Sequence, residues 1–333
     1  MDSLWGAPSP DPALVAELTV RLEEVESRLR AAVSQTDELA DSVSRHLVEA
    51  GGKRVRPLLT LLASHLGDPT RPEVVDAAVV VELTHLATLY HDDVMDSAPL
   101  RRGAPAAHAV WGNSVAILTG DLLFARASRI VAGLGPQAVR IQAATFERLC
   151  LGQLHETVGP RPGEDPVEHY LQVLSDKTGS LIATSGRFGA MFAGCGREVV
   201  DVLVAYGERV GVAFQLADDV IDLSGEGGDT GKTPGTDLRE RVPTLPVLLL
   251  RQAAARGDAS ALDLMARLDG DLSDDADLAD VVKRLREHPA TDEARRESQR
   301  WADEAVAALA RLPDGPTRDA LTAFAQGVVD RTR

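Results

Sequence analysis

VVDAAVVVELTHLATLYHDDVMD (74–96) and VVDVLVAYGERVGVAFQLADDVID (199–222) are the two stretches that decide the fold of this chain. Both are too long for strands and carry apolar residues on nearly every side of a helix, the pattern of helices buried in the middle of a bundle. Each ends in a row of aspartates, DDVMD at 92–96 and DDVID at 218–222. The composition agrees with a helical core. Apolar residues make up 44% of the 333 positions and aromatics only 4%, which favours close-packed helices over sheets and suffices to bury a sizeable core. The expected class is all-α, with residues 1–12 as a flexible, Pro-rich tail and 13–333 as one large helical domain.

Outward from these two stretches, apolar periodicity predicts helices from Leu14 to Leu29 and from Leu39 to Val48. Further helices are expected over roughly 58–66, 73–96, 107–132, 137–156, 166–192, 198–223, 244–256, 278–287, 291–311 and 315–331. Gly51-Gly52 ends the second helix, because glycine accepts a left-handed cap, and leaves Lys53-Arg54-Val55-Arg56-Pro57 in the loop before the next. Glycine and proline concentrate at Gly159–Pro166 and at Gly225–Gly235, the second of which reads as a mobile loop. Residues 257–295, acidic and poor in large apolar side chains, are expected to form peripheral helices and linkers.

Acidic residues outnumber basic ones by 51 to 35, for a net charge of -16, so most of the surface repels a phosphate-coated polymer and nucleic acid is not an expected partner. A phosphorylated small molecule would need the few cations gathered locally, or recruited metal ions. Cys150 and Cys195 lie in Ala/Gly-rich surroundings without a CxxC spacing, and are expected to be reduced core thiols of a cytoplasmic protein. The N-terminal residues show no basic stretch followed by an apolar one, and no run of about 18 apolar residues occurs, so neither export nor a transmembrane segment is expected.

The chemistry concentrates at the repeated aspartate motif. On a helix, positions i and i+4 lie nearly one above the other, so Asp92 with Asp96, and Asp218 with Asp222, present carboxylates a turn apart. Such rows repel and raise one another's pKa unless a multivalent cation offsets them. An all-oxygen ligand set without His or Cys suits a hard ion such as Mg²⁺. Solvated helix ends are the plainer reading of one such motif, but carboxylates at a helix C-terminus oppose the macrodipole, which makes that reading awkward at two sites. The basic residues also have plain readings. Lys53, Arg54 and Arg56 could be solvated loop charges, Arg101-Arg102 a helix cap, His85 a hydrogen-bonded core histidine and Lys177-Thr178-Gly179 a helix interruption. Their joint appearance, in order, around two aspartate motifs is what gives them weight.

In that combination the chain resembles the trans-isoprenyl diphosphate synthases of the polyprenyl synthetase family. The resemblance rests on Gly51-Gly-Lys-Arg-Val-Arg-Pro57, His85, both aspartate motifs, Arg101-Arg102-Gly103, Gly120-Asp121, Lys177-Thr178-Gly179, Gln215, Gly231-Lys232, Gly235-Thr-Asp-Leu, Thr244-Leu-Pro246 and the closing Val328-Val329-Asp330-Arg331. It implies a single helical bundle with a central active-site cavity, a homodimer, and head-to-tail condensation of isopentenyl diphosphate with an allylic diphosphate. It implies metal binding by Asp92 and Asp96 from one side and Asp218 from the other, with Asp93, Asp219 and Asp222 holding metal-bound waters, Asp222 also counting among the metal-site residues. About three Mg²⁺ ions per site are implied, with Mn²⁺ able to substitute. Arg101, Lys177, Thr178, Gln215 and Lys232 would hold the allylic diphosphate, and Lys53, Arg56, His85 and Arg102 isopentenyl diphosphate. Asp92, Asp93, Asp96, Arg101, Lys177, Asp218, Asp219 and Lys232 form the catalytic set. Gly225–Gly235 lacks the order of a nucleotide-binding loop and reads as a lid that brings Lys232 onto diphosphate. Val242 stands where many relatives carry lysine, with Arg239 or Arg241 as substitutes for that charge.

In the same family the residues four and five before the first aspartate face the channel for the growing chain, here Thr88 and Ala87, with Thr84, Leu83 and Val80 further back. None is aromatic, so an all-trans polyprenyl product longer than farnesyl is expected, with geranylgeranyl diphosphate as the main competitor. A class I terpene cyclase would have no use for the Lys53/Arg56 site and usually replaces the residue at Asp222 by Ser or Thr. A non-catalytic partner subunit should have lost one motif or the basic pocket.

Overall fold

The computed structural model describes residues 3–4, 7–8, 11–224 and 234–330. Within the expected tail, β1 (Ser3–Leu4) pairs antiparallel with β2 (Ala7–Pro8). The helix α1 (Pro12–Val33) begins where Asp11 accepts hydrogen bonds from the amides of Ala13 (2.9 Å) and Leu14 (3.4 Å), with proline at the first helical position. Then follow α2 (Glu38–Glu49), α3 (Val55–Ser64) and α4 (Pro72–Met95). A hairpin of β3 (Leu100–Arg101) and β4 (Ala104–Pro105) leads into α5 (Ala107–Trp111), α6 (Asn113–Gly133) and α7 (Pro136–Val158). Next come α8 (Pro166–Leu174), a π-helical turn (Ser175–Gly179), α9 (Ser180–Phe192) and α10 (Arg197–Ser224). The remainder is α11 (Thr236–Arg239), α12 (Leu245–Ala255), α13 (Ala259–Leu268), α14 (Asp275–Arg286), α15 (Pro289–Ala308), a 3₁₀ turn (Leu309–Arg311) and α16 (Pro316–Asp330).

The all-α expectation holds, with three local corrections. Val55-Arg56-Pro57 is not loop but the first turn of α3, a position where proline costs no hydrogen bond. The stretch 107–132 is two helices, because Gly112 adopts φ 84° and ψ 161° and breaks the ladder between α5 and α6. Residues 166–192 do contain the break anticipated at Lys177-Thr178-Gly179, as a π turn that carries the helix on and does not end it. The acidic region 257–295 forms helices joined by short linkers, as expected, and Asp258 and Asp274 cap α13 and α14 by accepting backbone amide bonds, so part of the acidic excess is capping chemistry.

The chain divides into two compact units. The first comprises Met1–Leu149, Ser180–Gly207 and Ala308–Phe324. Its central helix is α4, on which only the extremities and a few positions reach water. Among the described residues α4 alone is long and apolar enough to cross a membrane, yet 72% of its most apolar window is buried within the protein, as in a core helix. The Tyr90 hydroxyl donates to the Val43 carbonyl of α2 and accepts from the Leu47 amide at 3.3 Å, satisfying the polar tip of a fully buried ring. Tyr206 is satisfied likewise on the Leu321 carbonyl at 2.8 Å. The helices α3 and α9 meet backbone to side chain: a Cβ on Gly189 would fall 2.1 Å from the Thr60 carbonyl oxygen and 2.9 Å from Ala63 Cβ. Alanine in a helix ordinarily gains about 1 kcal/mol over glycine. Here the clash outweighs it, and Gly189→Ala should lower stability by about 1–3 kcal/mol, read as an earlier denaturant midpoint; an unchanged midpoint would show that α3 and α9 can separate freely.

The second unit comprises Cys150–Gly179, Glu208–Ala307 and Ala325–Arg333. Its core gathers Leu174, Val212, Leu216, Val220, Leu250 and Leu285 from α8, α10, α12 and α14. Cys150 is exposed and Cys195 half-buried, so the expectation of two core thiols is wrong for Cys150 and met only in part by Cys195. Its apolar neighbours Leu151 and Leu154 are themselves exposed at 42% and 55%, an apolar surface stripe that reads in sequence like a core face.

Candidate active site

The candidate residues fall into two groups, one in each unit. In the first, α4 sets the geometry. Glu82, His85, Asp92, Asp93 and Asp96 recur at spacings that return to one side of a helix, so carboxylates and imidazole emerge from a helix otherwise buried. Asp92 is half-buried, Asp93 fully buried and Asp96 exposed at the C-cap. The β3–β4 turn then folds back toward that end. Arg102 and Gly103 take φ 55° and 78°, the left-handed pair of a tight hairpin. That turn sends the two arginines to different partners. Arg101 donates through Nε (2.6 Å) and Nη2 (2.5 Å) to Asp93 Oδ1. Arg102 donates to the carbonyls of Leu47 (3.1 Å) and Gly51. Glycine suits Gly52 because its φ is 132°, and a Cβ there would also sit 2.7 Å from the Arg102 guanidinium carbon. The GD pair of α6 has a similar use: a Cβ on Gly120 would lie 2.4 Å from His91 Nε2, and that ring reaches Asp121 at 3.3 Å.

Arg54, Arg56, Arg101, Arg102 and His85 are thereby gathered in one unit. Burial, followed by the charges of Arg56, Arg102, Arg101 and Arg54, pushes the His85 pKa well below 6.5, so His85 is neutral at physiological pH. Burial lowers the Arg56 pKa to about 10, with Glu82 opposing and Arg102 adding to the effect, and leaves its Nε without a hydrogen-bond partner. Arg102 is lowered chiefly by burial too. Because His85 binds protons more weakly folded than unfolded, it contributes stability above pH 6.5 that is lost progressively as pH falls from that value toward its lower folded pKa. His85→Gln should therefore show a shallower stability loss on acidification below pH 6.5 than the parent; equal slopes would show that the ring is not held neutral.

In the second unit, α10 carries Gln215, Asp218, Asp219 and Asp222. Asp218 and Asp222 are half-buried, and Asp219 is buried. Tyr170 donates to Asp219 Oδ2 at 2.7 Å and the Leu245 amide does so at 3.3 Å, tying α8 and the start of α12 to the motif. Burial raises the Asp219 pKa to about 8 against those two bonds. The Asp237 amide donates to Asp222 Oδ2 at 3.3 Å, and the Gly235 amide to the Asp222 carbonyl at 2.9 Å. Lys177 pairs with Glu156 at 2.5 Å, and Thr178 is buried. A Cβ on Gly152 would approach the Lys177 amide to 2.7 Å, so that glycine makes room for the π turn. Lys232 and residues 225–233 of the lid lie outside the described residues. Of the two proposed substitutes at Val242, Arg239 is paired with Asp275 at 2.5 Å and Arg241 with the Gly270 carbonyl at 3.2 Å, so each is already engaged with the α13–α14 region.

A hard metal ion fits this donor set. Asp93 Oδ2 is buried with no hydrogen-bond partner, while burial raises that carboxyl's pKa against the two contacts from Arg101. A metal-bound water would supply the missing donor. Among the described residues no three carboxylate, imidazole or thiolate side chains already converge as a closed cage. Mg²⁺ needs none, since it keeps waters and takes substrate phosphates.

Nucleophilic catalysis finds no support in the Asp258–Ser260–His288 grouping. There His288 Nδ1 accepts from the Ala290 amide at 3.1 Å, which places the proton on Nε2, facing Ser260 Oγ at 3.3 Å, while that hydroxyl bonds Asp258 at 2.6 Å. The imidazole is therefore a donor to the hydroxyl and cannot act as its base.

Sequence reading did not assign Glu26, Glu82, Tyr170 or Glu156. Glu82 alone left a local signal, as the one charge within the otherwise uncharged run from Ala77 to Thr84.

Residues 37–285 match the polyprenyl synthetase family. The chain belongs to that family. It is 46% identical over 322 residues, 96% of its own length and 95% of the other's, to a nonaprenyl diphosphate synthase of Mycobacterium tuberculosis. It is also similar to the crystal structure of a geranylgeranyl pyrophosphate synthase from Corynebacterium glutamicum complexed with calcium and isoprenyl diphosphate, at 44% identity and TM-score 0.86, covering 97% of this chain and 99% of that one. A decaprenyl diphosphate synthase from Rhodobacter capsulatus matches at 33% identity and TM-score 0.85, over 96% and 99% of the two chains. As a polyprenyl synthetase the protein is a prenyltransferase, with the all-α fold of the isoprenyl diphosphate synthases.

Proposed function

We propose that this chain adds isopentenyl diphosphate repeatedly to an allylic diphosphate and releases an all-trans polyprenyl diphosphate longer than farnesyl. The observation that carries the length is the face of α4 leading away from Asp92. Thr88, Ala87, Thr84 and Val80 are all small or aliphatic, and the Thr84 and Thr88 hydroxyls turn back onto the carbonyls of Val80 and His85, each at 2.8 Å. These four positions offer methyl groups and no ring to a chain growing along that face. The nonaprenyl and decaprenyl names of two relatives support this reading, and the geranylgeranyl name of a third supports a shorter product.

In the mechanism this implies, Lys177, Thr178, Gln215 and Lys232, with Arg101, bind the allylic diphosphate, while Lys53, Arg56 and Arg102 bind isopentenyl diphosphate. Neutral His85 donates a hydrogen bond and adds no charge. Mg²⁺ held by Asp92, Asp96, Asp218 and Asp222, about three ions with Mn²⁺ as substitute, would withdraw charge from the departing diphosphate. Apolar α4 residues keep water from the allylic cation while the second double bond attacks, and the proton leaves with the released diphosphate. We further propose a cytoplasmic homodimer: the free thiols Cys150 and Cys195 suit a reducing compartment, and an isologous interface would cover the exposed Ile117 and Leu118 of α6.

Chromatography of the dephosphorylated products of the purified protein tests the proposal. A ladder ending well beyond farnesol supports it; termination at geranylgeraniol would move the reading to the shorter product, and a cyclic hydrocarbon would overturn it.

A further inference from the structure

We propose that Arg54 is a positioning residue whose guanidinium, clamped by Glu26 and Glu82, fixes the backbone from which Lys53 and Arg56 reach isopentenyl diphosphate. The proposal rests on the assignment of Lys53 and Arg56 to that substrate. Arg54 sits between them and looks, in sequence, like a third phosphate ligand. Its hydrogen bonds say otherwise. Nε donates to Glu26 Oε1, Nη2 to Glu26 Oε2 (3.5 Å) and to the Val48 carbonyl (3.0 Å), and Nη1 to Glu82 (3.0 Å) and to the Gly51 carbonyl (3.0 Å). All the donors of the guanidinium fork are used inside the protein, so none is left for a phosphate.

The clamp is also dry. The Arg54 and Glu82 side chains are 5% and 2% exposed, and Glu82 lies on an apolar helix where an unpaired carboxylate would be expensive. Burial works against the Arg54 charge, but the bonds to Glu26 and Glu82 more than offset it and raise its pKa. Three elements are thereby tied to one side chain: α1 through Glu26, α2 through Val48 and α4 through Glu82. The backbone they hold is one that would not hold itself. Gly51 and Gly52 take φ 83° and 132°, and Arg54, a non-glycine residue, takes φ 48° immediately before α3. Left-handed conformation at such a residue persists only where the surroundings impose it. Lys53 and Arg56 leave the chain one residue before and two after this point, so their reach is set by it.

Arg54→Lys tests the idea, because it keeps the charge that attracts an anion and removes the planar fork. The expected result is a rise of about tenfold in KM for isopentenyl diphosphate, with KM for the allylic substrate and kcat changed much less. Glu26→Gln, at the more exposed end of the clamp, should change the same constant in the same direction by a smaller factor, and it decides the question if Arg54→Lys does not fold. Arg56→Gln serves as the reference. If it raises KM for isopentenyl diphosphate while the clamp variants do not, or if the clamp variants impair both substrates equally, the positioning role is wrong. If Arg56→Gln also leaves that constant unchanged, the substrate assignment beneath it has failed.

Discussion

Replacing Asp92 or Asp218 by alanine is expected to reduce turnover by at least about a thousandfold and to leave the fold intact. Asp92 lies in the last turn of α4, where a negative charge opposes the helix dipole at about 0.3–1 kcal/mol, while Asp218 lies six residues before the end of α10. Asp218 also stands beside the buried Asp219, whose pKa its charge helps to raise, so its removal relieves like-charge repulsion. The melting temperature should therefore change little while activity disappears. That opposition separates a functional role from a structural one, since a structural carboxylate would take the melting temperature down with it. Thermal melting alongside a turnover assay reads both quantities, and near-normal turnover in either variant would remove the metal assignment.

Ala87→Phe is expected to shorten the product to about farnesyl or geranylgeranyl length. Ala87 is fully buried, so the ring either displaces packed neighbours, at about 1–3 kcal/mol, or occupies the path that an elongating chain takes. Only the second outcome changes the product distribution. Thr88→Phe is the companion variant, since Thr88 is half-buried and carries a smaller packing penalty. A product ladder unchanged in both would refute the channel reading, whatever happened to stability.

The parts of this molecule legible in its sequence are those where local pattern and tertiary environment say the same thing. The stretches 74–96 and 199–222 could only be core helices, and α4 and α10 cover them almost to the residue. What escaped has identifiable causes. A single glycine at Gly112 interrupts no periodicity, so α5 and α6 read as one helix. The π turn at Ser175–Gly179 adds a residue to one turn without breaking the apolar face. The β3–β4 hairpin is too short to show alternation, though it aims Arg101 and Arg102. Arg54 meets Glu26 and Glu82 across 28 residues in either direction, and no local spacing rule reaches that far. Cys150 was misplaced for a different reason, since an apolar surface stripe and an apolar core face have the same periodicity.

The central claim is that diphosphate departure assisted by a hard metal drives condensation of two prenyl substrates. It is tested most directly by incubating the purified protein with labelled isopentenyl diphosphate and an allylic diphosphate, with Mg²⁺ or with excess chelator. Label should pass into an acid-labile, hexane-extractable polyprenyl product with Mg²⁺ and not under chelation; incorporation that ignored the chelator, or none in the presence of Mg²⁺, would contradict it.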